Sequence, residues 1–452
     1  MIPKHALIVL ALGLPAADSH AAPVEFLSPF ATASQAAKGN QTATSMPEGL
    51  VNNPDSFWVR NTLTSDWGGL RDRLNDDGLA ITPVYEGEVF SAIGNNHDGT
   101  ISDGLLDVAV DLDLERITRF WQGAQFHFNV LDIYGTSLSQ RYTHDFSNTS
   151  NLAGFNTVRL QEIWLQQAFW EKRATLRLGM LAADTEFFSS QAASLFLNGT
   201  FGAFTLFGAN FNDAPAYPAA SPAVRLDVMP VSFWDFKAAV FAPDENSENY
   251  THGTDFGIDA RDGALFVIET SYLLNQSPND RGLIGSYRLG AFIQRGDYAA
   301  WGSQAENALD PANPLHHGTN HAIYGVADQE LFKNGQVTVE AFARGGFAAA
   351  SYSFVDNYFD AGFNFIGFVP NRITDVAGIA IARSGISRQF SEGQRLQGNP
   401  GSTSETAIEA TYKAQITPWW SIQPDIQYIL NPSGVIGSRN AFVLGLRTMI
   451  TF

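Results

Sequence analysis

Charged residues at every second position are the first chemistry the sequence offers. Glu86 and Glu88 stand two apart, as do Asp111 and Asp113, with Asp107 in the same phase. Glu162 and Trp164 alternate with Ile163 and Leu165, while Arg177 and Arg225 are each flanked by apolar residues on both sides. Residues two apart share one face of a strand. Each run therefore presents its polar groups together: carboxylate acceptors, forked guanidinium donors and an aromatic ring. Such groups hold a polar solute through charge-assisted hydrogen bonds. Catalysis has no comparable signature. There is no phosphate-cradling Gly-Lys-Ser/Thr run and no Gly-x-Ser-x-Gly elbow, and Ser, His and Asp occur without triad spacing. His316, His317 and His321 lie beside Pro314 and Gly318 in an expected outer loop, so neither a metal site nor a cofactor is expected.

The elements that carry these residues read as strands from Leu79 onward. Leu106, Val108, Val110, Leu112 and Leu114 fall on one face, with Asp107, Ala109, Asp111, Asp113 and Glu115 on the other. A helix would mix the two sets. The same alternation recurs to the end of the chain, where Phe442, Leu444, Leu446, Thr448, Ile450 and Phe452 form one face. The repeats predict an all-β chain of about 16 strands, an even number of the kind that outer-membrane barrels use. A ring of that size is too wide for side chains to fill with a dry core. It must be wet inside and apolar outside, which requires a membrane. Connections alternate in length as such barrels demand: short near 120–122, 171–173, 229–232, 333–335 and 417–419, long at 182–221, 243–263 and 299–320. Trp121, Trp170, Trp234, Trp419 and Trp420 cluster at the short turns, where an interfacial girdle belongs.

Bulk properties agree. Of 452 residues 16% are charged, below the roughly 25% usual for soluble domains, and 12% are aromatic. The absence of cysteine excludes disulfides and thiolate metal sites. A net charge of −19 argues against nucleic acid as a partner. At the N-terminus, Lys4 and His5 precede an apolar run over 6–17, and Ser19-His20-Ala21 offers a cleavage site. The run is shorter than the about 20 residues a spanning helix needs, so 1–21 reads as a signal peptide. Residues 22–62 read as a flexible periplasmic leader, and 63–452 as the barrel region, opening on a short helix expected within 65–74. The terminal strand ending on Phe452 is similar to the assembly signal of bacterial barrels.

Several blocks together resemble the carbohydrate-selective porin (OprB) family. They are Leu63-Thr64-Ser65-Asp66-Trp67-Gly68-Gly69-Leu70-Arg71, the strand with Tyr85-Glu86-Gly87-Glu88, Glu162-Ile163-Trp164-Leu165-Gln166-Gln167, and Leu176-Arg177-Leu178-Gly179-Met180-Leu181 with Asp184-Thr185-Glu186-Phe187. Tyr217-Pro218-Ala219, Val224-Arg225-Leu226, the run from Ile422 to Ile429 and Leu444-Gly445-Leu446-Arg447 complete the set. Met180 departs from it, standing where a polar or basic residue is expected. The resemblance implies a 16-stranded barrel for passive, sugar-preferring diffusion across the bacterial outer membrane.

On that reading the expected pore-lining residues are Glu86, Glu88, Asp107, Asp111, Glu162, Trp164, Arg177 and Arg225. Arg288, Arg344 and Arg383 supply further positive charge, and Trp164 offers a stacking face. Residues 182–221, rich in Phe, are expected to fold inward and narrow the bore. Expected partners are carbohydrate solutes, outer-membrane lipid and lipopolysaccharide, the barrel-assembly machinery reading the terminal Phe strand, and optionally further copies of the chain. The competing readings are a general or anion-preferring diffusion porin and a secreted soluble sugar-binding β-protein.

Overall fold

The computed structural model describes residues 56–94, 98–211, 214–242, 252–258, 263–277 and 280–452. The expected signal peptide and most of the expected leader lie outside these residues. Sixteen antiparallel strands close into one barrel, each paired with its sequence neighbours and β1 with β16. They are β1 (Leu79–Ile93), β2 (Gly99–Asp113), β3 (Ala124–Gly135), β4 (Thr157–Phe169), β5 (Ala174–Leu181), β6 (Ser221–Val231), β7 (Trp234–Phe241) and β8 (Ala264–Leu274). The ring continues through β9 (Gly285–Ala299), β10 (His317–Asn334), β11 (Val337–Ala348), β12 (Val355–Ile366), β13 (Val376–Ile386), β14 (Ser404–Thr417), β15 (Trp420–Leu430) and β16 (Ala441–Thr451). Closure leaves no sheet edge, so the strands satisfy their backbone groups around the ring, as spanning lipid requires.

Alternation sets which face is which. Leu289 and Ile323 are 66% and 59% exposed on the outside, while Arg225, Glu269 and Glu409 point inward and are buried. Trp121, Trp170 and Trp234 are exposed at the end of the barrel that carries the short turns. Trp419 departs from the expected girdle: it is buried, with Phe57 packed on it at 4.8 Å and its indole N–H donating to the Phe57 carbonyl at 2.9 Å. The segment before the barrel also meets the sheet where Leu63 N–H donates to the Thr451 carbonyl at 2.8 Å.

Two local expectations shift. The N-terminal helix α1 covers Leu70–Asp76, later than expected, because Gly68 and Gly69 take left-handed φ of 70° and 87° and delay its start. Strand β2 ends at Asp113, whose side chain accepts from Arg116 N–H at 3.1 Å and caps the short helix α2 (Leu114–Thr118). Glu115 therefore belongs to α2, where it accepts from Gly123 N–H at 3.0 Å, and not to the strand's acidic face.

The interior is divided. The β5–β6 loop (182–220) folds into the barrel and packs Phe187, Phe188, Phe196, Phe201, Phe204 and Phe207, all buried, against Phe241, Phe292, Tyr324, Phe342 and Tyr358 of the inner wall. Those wall residues belong to β7 and β9–β12, so this sector holds a dry aromatic core. Elsewhere the inner face carries polar groups, of which the Asp111 side chain keeps 55% exposure, and two smaller apolar clusters in which Leu138, Leu197 and Leu152 cover Phe90, Ile101, Leu105, Leu131 and Ile133.

Candidate functional site

The loop is held by side chains of the wall. Glu269 accepts from Phe188 N–H and from the Tyr324 hydroxyl, both at 2.9 Å. Glu409 accepts from Leu197 N–H at 2.6 Å and Asn198 N–H at 2.9 Å. Arg344, paired with Asp360, donates to the Phe201 and Thr200 carbonyls at 2.9 and 3.1 Å. Asn364 and Gln423 donate to the Ala192 and Leu195 carbonyls, each at 2.8 Å. Bonds to charged groups contribute about 1.5–3 kcal/mol each in favourable cases. The loop is thus tied to the inner wall at several points.

On the open side, a file of polar groups crosses five strands. Asp111 of β2 bonds His127 of β3 at 2.7 Å. The His127 ring stacks on Trp164 of β4 with centroids 4.8 Å apart and planes 16° apart. From the other side, the Arg177 guanidinium of β5 lies 3.7 Å from the Trp164 ring centroid. Arg177 also donates to Gln166 at 2.9 and 3.1 Å and pairs with Glu186 of the constriction loop. Arg225 of β6 reaches the same Glu186 at 2.9 Å and Asp227 at 3.5 Å. Burial pushes the Glu186 carboxyl up, but Arg177, Arg225 and Lys237 outweigh it and hold the group well below the usual carboxylate range.

Local sequence explains the placement. Gln161 and Glu162 together oppose Asn129, a bulge in the β3–β4 ladder fastened by Asn129 Nδ2 to Gln161 at 2.9 Å and by Glu162 N–H to Asn129 Oδ1 at 2.9 Å. The extra residue lets Gln161, Glu162 and Trp164 all serve the interior. Gly179, opposite Trp164 with φ 147°, has room for no side chain: a Cβ there would sit 2.7 Å from the Trp164 Cα.

Of the expected residues, Asp111, Trp164, Arg177 and Arg225 come together in this file. Glu162 adjoins it but accepts from Ala182 N–H at 2.7 Å and so anchors the loop. Glu86 and Glu88 form a second cluster at the β1–β16 seam, where both pair with Arg447 and Glu88 accepts from Ser150 at 2.5 Å. Asp107 lies between the two, accepting from Asn129 at 3.1 Å. Three expectations are corrected. Trp164 offers no free stacking face, because His127 and Arg177 flank it from β3 and β5. Arg383 is exposed on the outer face beside Phe359, since its phase on β13 is that of Ile379 and Ile381. Arg344 is fully buried under the loop and lines no bore. Met180, the departure noted above, is buried with Ile163, Ala182 and Ala220, where an apolar side chain fits. His127, Gln166, Glu186 and Arg447 were not among the candidates. Each lies in an alternating run or a resemblance block, but only the fold shows what it meets.

A closed barrel with an apolar exterior and a loop-narrowed, charged interior defines a diffusion channel of the bacterial outer membrane, and it removes the soluble alternative. Residues 97–452 match the sequence model of the family described as carbohydrate-selective porin, OprB family, and the chain belongs to that family. It is 24% identical to Porin B of Pseudomonas aeruginosa over 438 residues, covering 88% of this chain and 92% of that protein. The high-pH structure of Pseudomonas putida OprB superposes with a TM-score of 0.82 at 23% identity, over 88% of this chain and 100% of that one. The low-pH structure of Pseudomonas putida OprB gives 0.56 at 19% identity, over 87% and 99%. The structural likenesses bear on the fold.

Proposed function

We infer that this carbohydrate porin passes mono- and small oligosaccharides by passive diffusion and does no covalent chemistry, with selection at the Asp111–His127–Trp164–Arg177–Glu186–Arg225 file. The observation that carries the reading is the fixed, mixed-sign character of that file beside a constriction loop tied down on every side. Sugar hydroxyls both donate and accept, so a neutral sugar can exchange bonds along alternating carboxylates and guanidinium groups without being trapped by net charge. Rigid partners lose little freedom when they engage it. Glu86, Glu88 and Asp107 extend the polar wall toward β16. The filled sector under the loop favours selective passage over general diffusion. The apolar belt suits lipid and lipopolysaccharide, and the strand ending on Phe452 suits recognition by the barrel-assembly machinery.

Planar-bilayer recording tests the reading. Glucose is expected to reduce the ion current of the native channel in a saturable way. Arg177→Gln is expected to raise the half-blocking concentration about tenfold or more, as loss of a charge-assisted bond implies. A current insensitive to glucose, or an unchanged response in the variant, contradicts selection at this file.

A further inference from the structure

Three cationic side chains converge where one would suit an anion, and the chain supplies that anion itself. Arg177 and Arg225 both bind the Glu186 carboxylate, and Lys237 Nζ lies 3.5 Å from the Glu186 carbonyl oxygen. The two guanidinium groups come from neighbouring strands, since Arg177 and Arg225 are paired across β5 and β6. Directly paired like charges repel, so this arrangement requires a counter-charge between them. Of the other carboxylates nearby, Glu162 is engaged by Ala182 N–H at 2.7 Å, and Asp227 reaches Arg225 only at 3.5 Å. Glu186 is also the one member of the group carried by the constriction loop. Of the two arginines and Glu186, the Arg177 side chain is the most exposed, at 16% against 8% for Glu186 and 4% for Arg225, so Arg177 is where these groups reach the interior surface.

We propose that Glu186 is a built-in counter-anion that makes the channel reject acidic sugars, occupying the place between Arg177 and Arg225 that the carboxylate of an aldonate or uronate would take. The inference rests on the sugar-channel reading and adds its charge rule. Neutral sugars interact with the outer edges of a compensated group. An acidic sugar finds its natural partners already taken by Glu186. The residue thus determines specificity, and its removal exposes uncompensated guanidinium charge at the constriction.

The test is liposome swelling with D-glucose and D-gluconate, which share a carbon chain length, for the native protein and Glu186→Gln. The amide keeps the volume and removes the charge. The gluconate-to-glucose rate ratio is expected to rise on the order of tenfold in the variant, the effect of one partly screened unit charge at a narrow site. The chloride-to-potassium permeability ratio should rise with it. A purely structural role for Glu186 would loosen the loop and speed both solutes alike, leaving the ratio unchanged, and that result overturns the proposal. If Glu186→Gln does not reach the heat-modifiable folded form, the double variant Arg177→Gln/Glu186→Gln, which restores the charge count, is measured instead. It should exclude gluconate as the native protein does; free gluconate entry would overturn the proposal. The native arm separates the two readings: no preference for glucose over size-matched neutral solutes removes the sugar channel, whereas preference without a gluconate response in the variant removes only the charge rule.

Discussion

Arg344 offers the sharpest test of the claim that the constriction is fixed. Its side chain and that of Asp360 are both 0% exposed. The guanidinium donates to Asp360 at 2.5, 2.9 and 3.2 Å and to the Phe201 and Thr200 carbonyls of the loop at 2.9 and 3.1 Å. Arg344→Met leaves Asp360 buried without its cation, a loss of about 3–5 kcal/mol for a broken buried pair. It also strips the Phe201 carbonyl of its donor and leaves the Thr200 carbonyl with the Tyr358 hydroxyl alone, at 3.0 Å. A shift of about 3 kcal/mol in the loop's attachment changes its detached population roughly a hundredfold. Single-channel recording should then show excess current noise, and limited proteolysis should cut within 182–220. The double variant Arg344→Met/Asp360→Leu separates the causes. It should recover most of the unfolding stability, because a buried pair replaced by apolar side chains is often neutral, yet keep the noise, because the Phe201 carbonyl remains unpaired. A quiet, protease-resistant loop in both variants would refute the assignment of Arg344 as its anchor.

Trp164→Ala removes the plate between His127 and Arg177. A cation–π contact contributes about 0.5–2 kcal/mol, so glucose entry should slow several-fold while the barrel stays folded; unchanged sugar rates would show that Arg177 needs no such support. Burial pushes the Asp184 carboxyl of the loop up to about 6, against a hydrogen bond from Tyr217 N–H. The folded protein therefore holds this proton more tightly than the unfolded chain does. The group's stabilisation is full below its ordinary value of 3.8 and is lost as pH rises through 6. Asp184→Asn, neutral throughout, should match the native unfolding midpoint at pH 4 and exceed it at pH 8, and a pH-independent difference would contradict this. Glu186 works in the opposite sense: its lowered pKa stabilises above its ordinary value of 4.5 and is lost as pH falls below it. Glu186→Gln should therefore flatten the acid limb of the stability profile.

The strands were legible because lipid outside and water inside impose period two on every crossing. β16 (Ala441–Thr451) falls where the alternation over 442–452 places it. The same period put Glu86, Glu88, Asp111, Trp164, Arg177 and Arg225 on the inner face. Partners were not legible, because they depend on closure: Arg447 meets Glu88 across 359 residues of sequence. Nor could phase alone divide inner charges between bore and loop. Glu162 and Arg344 hold the loop, and only its Phe residues hint that wall polar groups would be drawn into anchoring it. Trp164 looked like a sugar platform because one ring on one strand has two faces; β3 and β5 take both. Arg383 was misplaced because short side chains around it, Ala382 and Ser384, leave the apolar phase of β13 weakly marked.

A carbohydrate-selective barrel admits sugars in preference to other solutes of the same size. Swelling of liposomes carrying the refolded native protein tests it directly, with glucose and a disaccharide compared against neutral amino acids and organic anions matched in size. The sugars should enter faster than size alone allows. Rates that fall on one curve of molecular size, with sugars and the other solutes together, would contradict it.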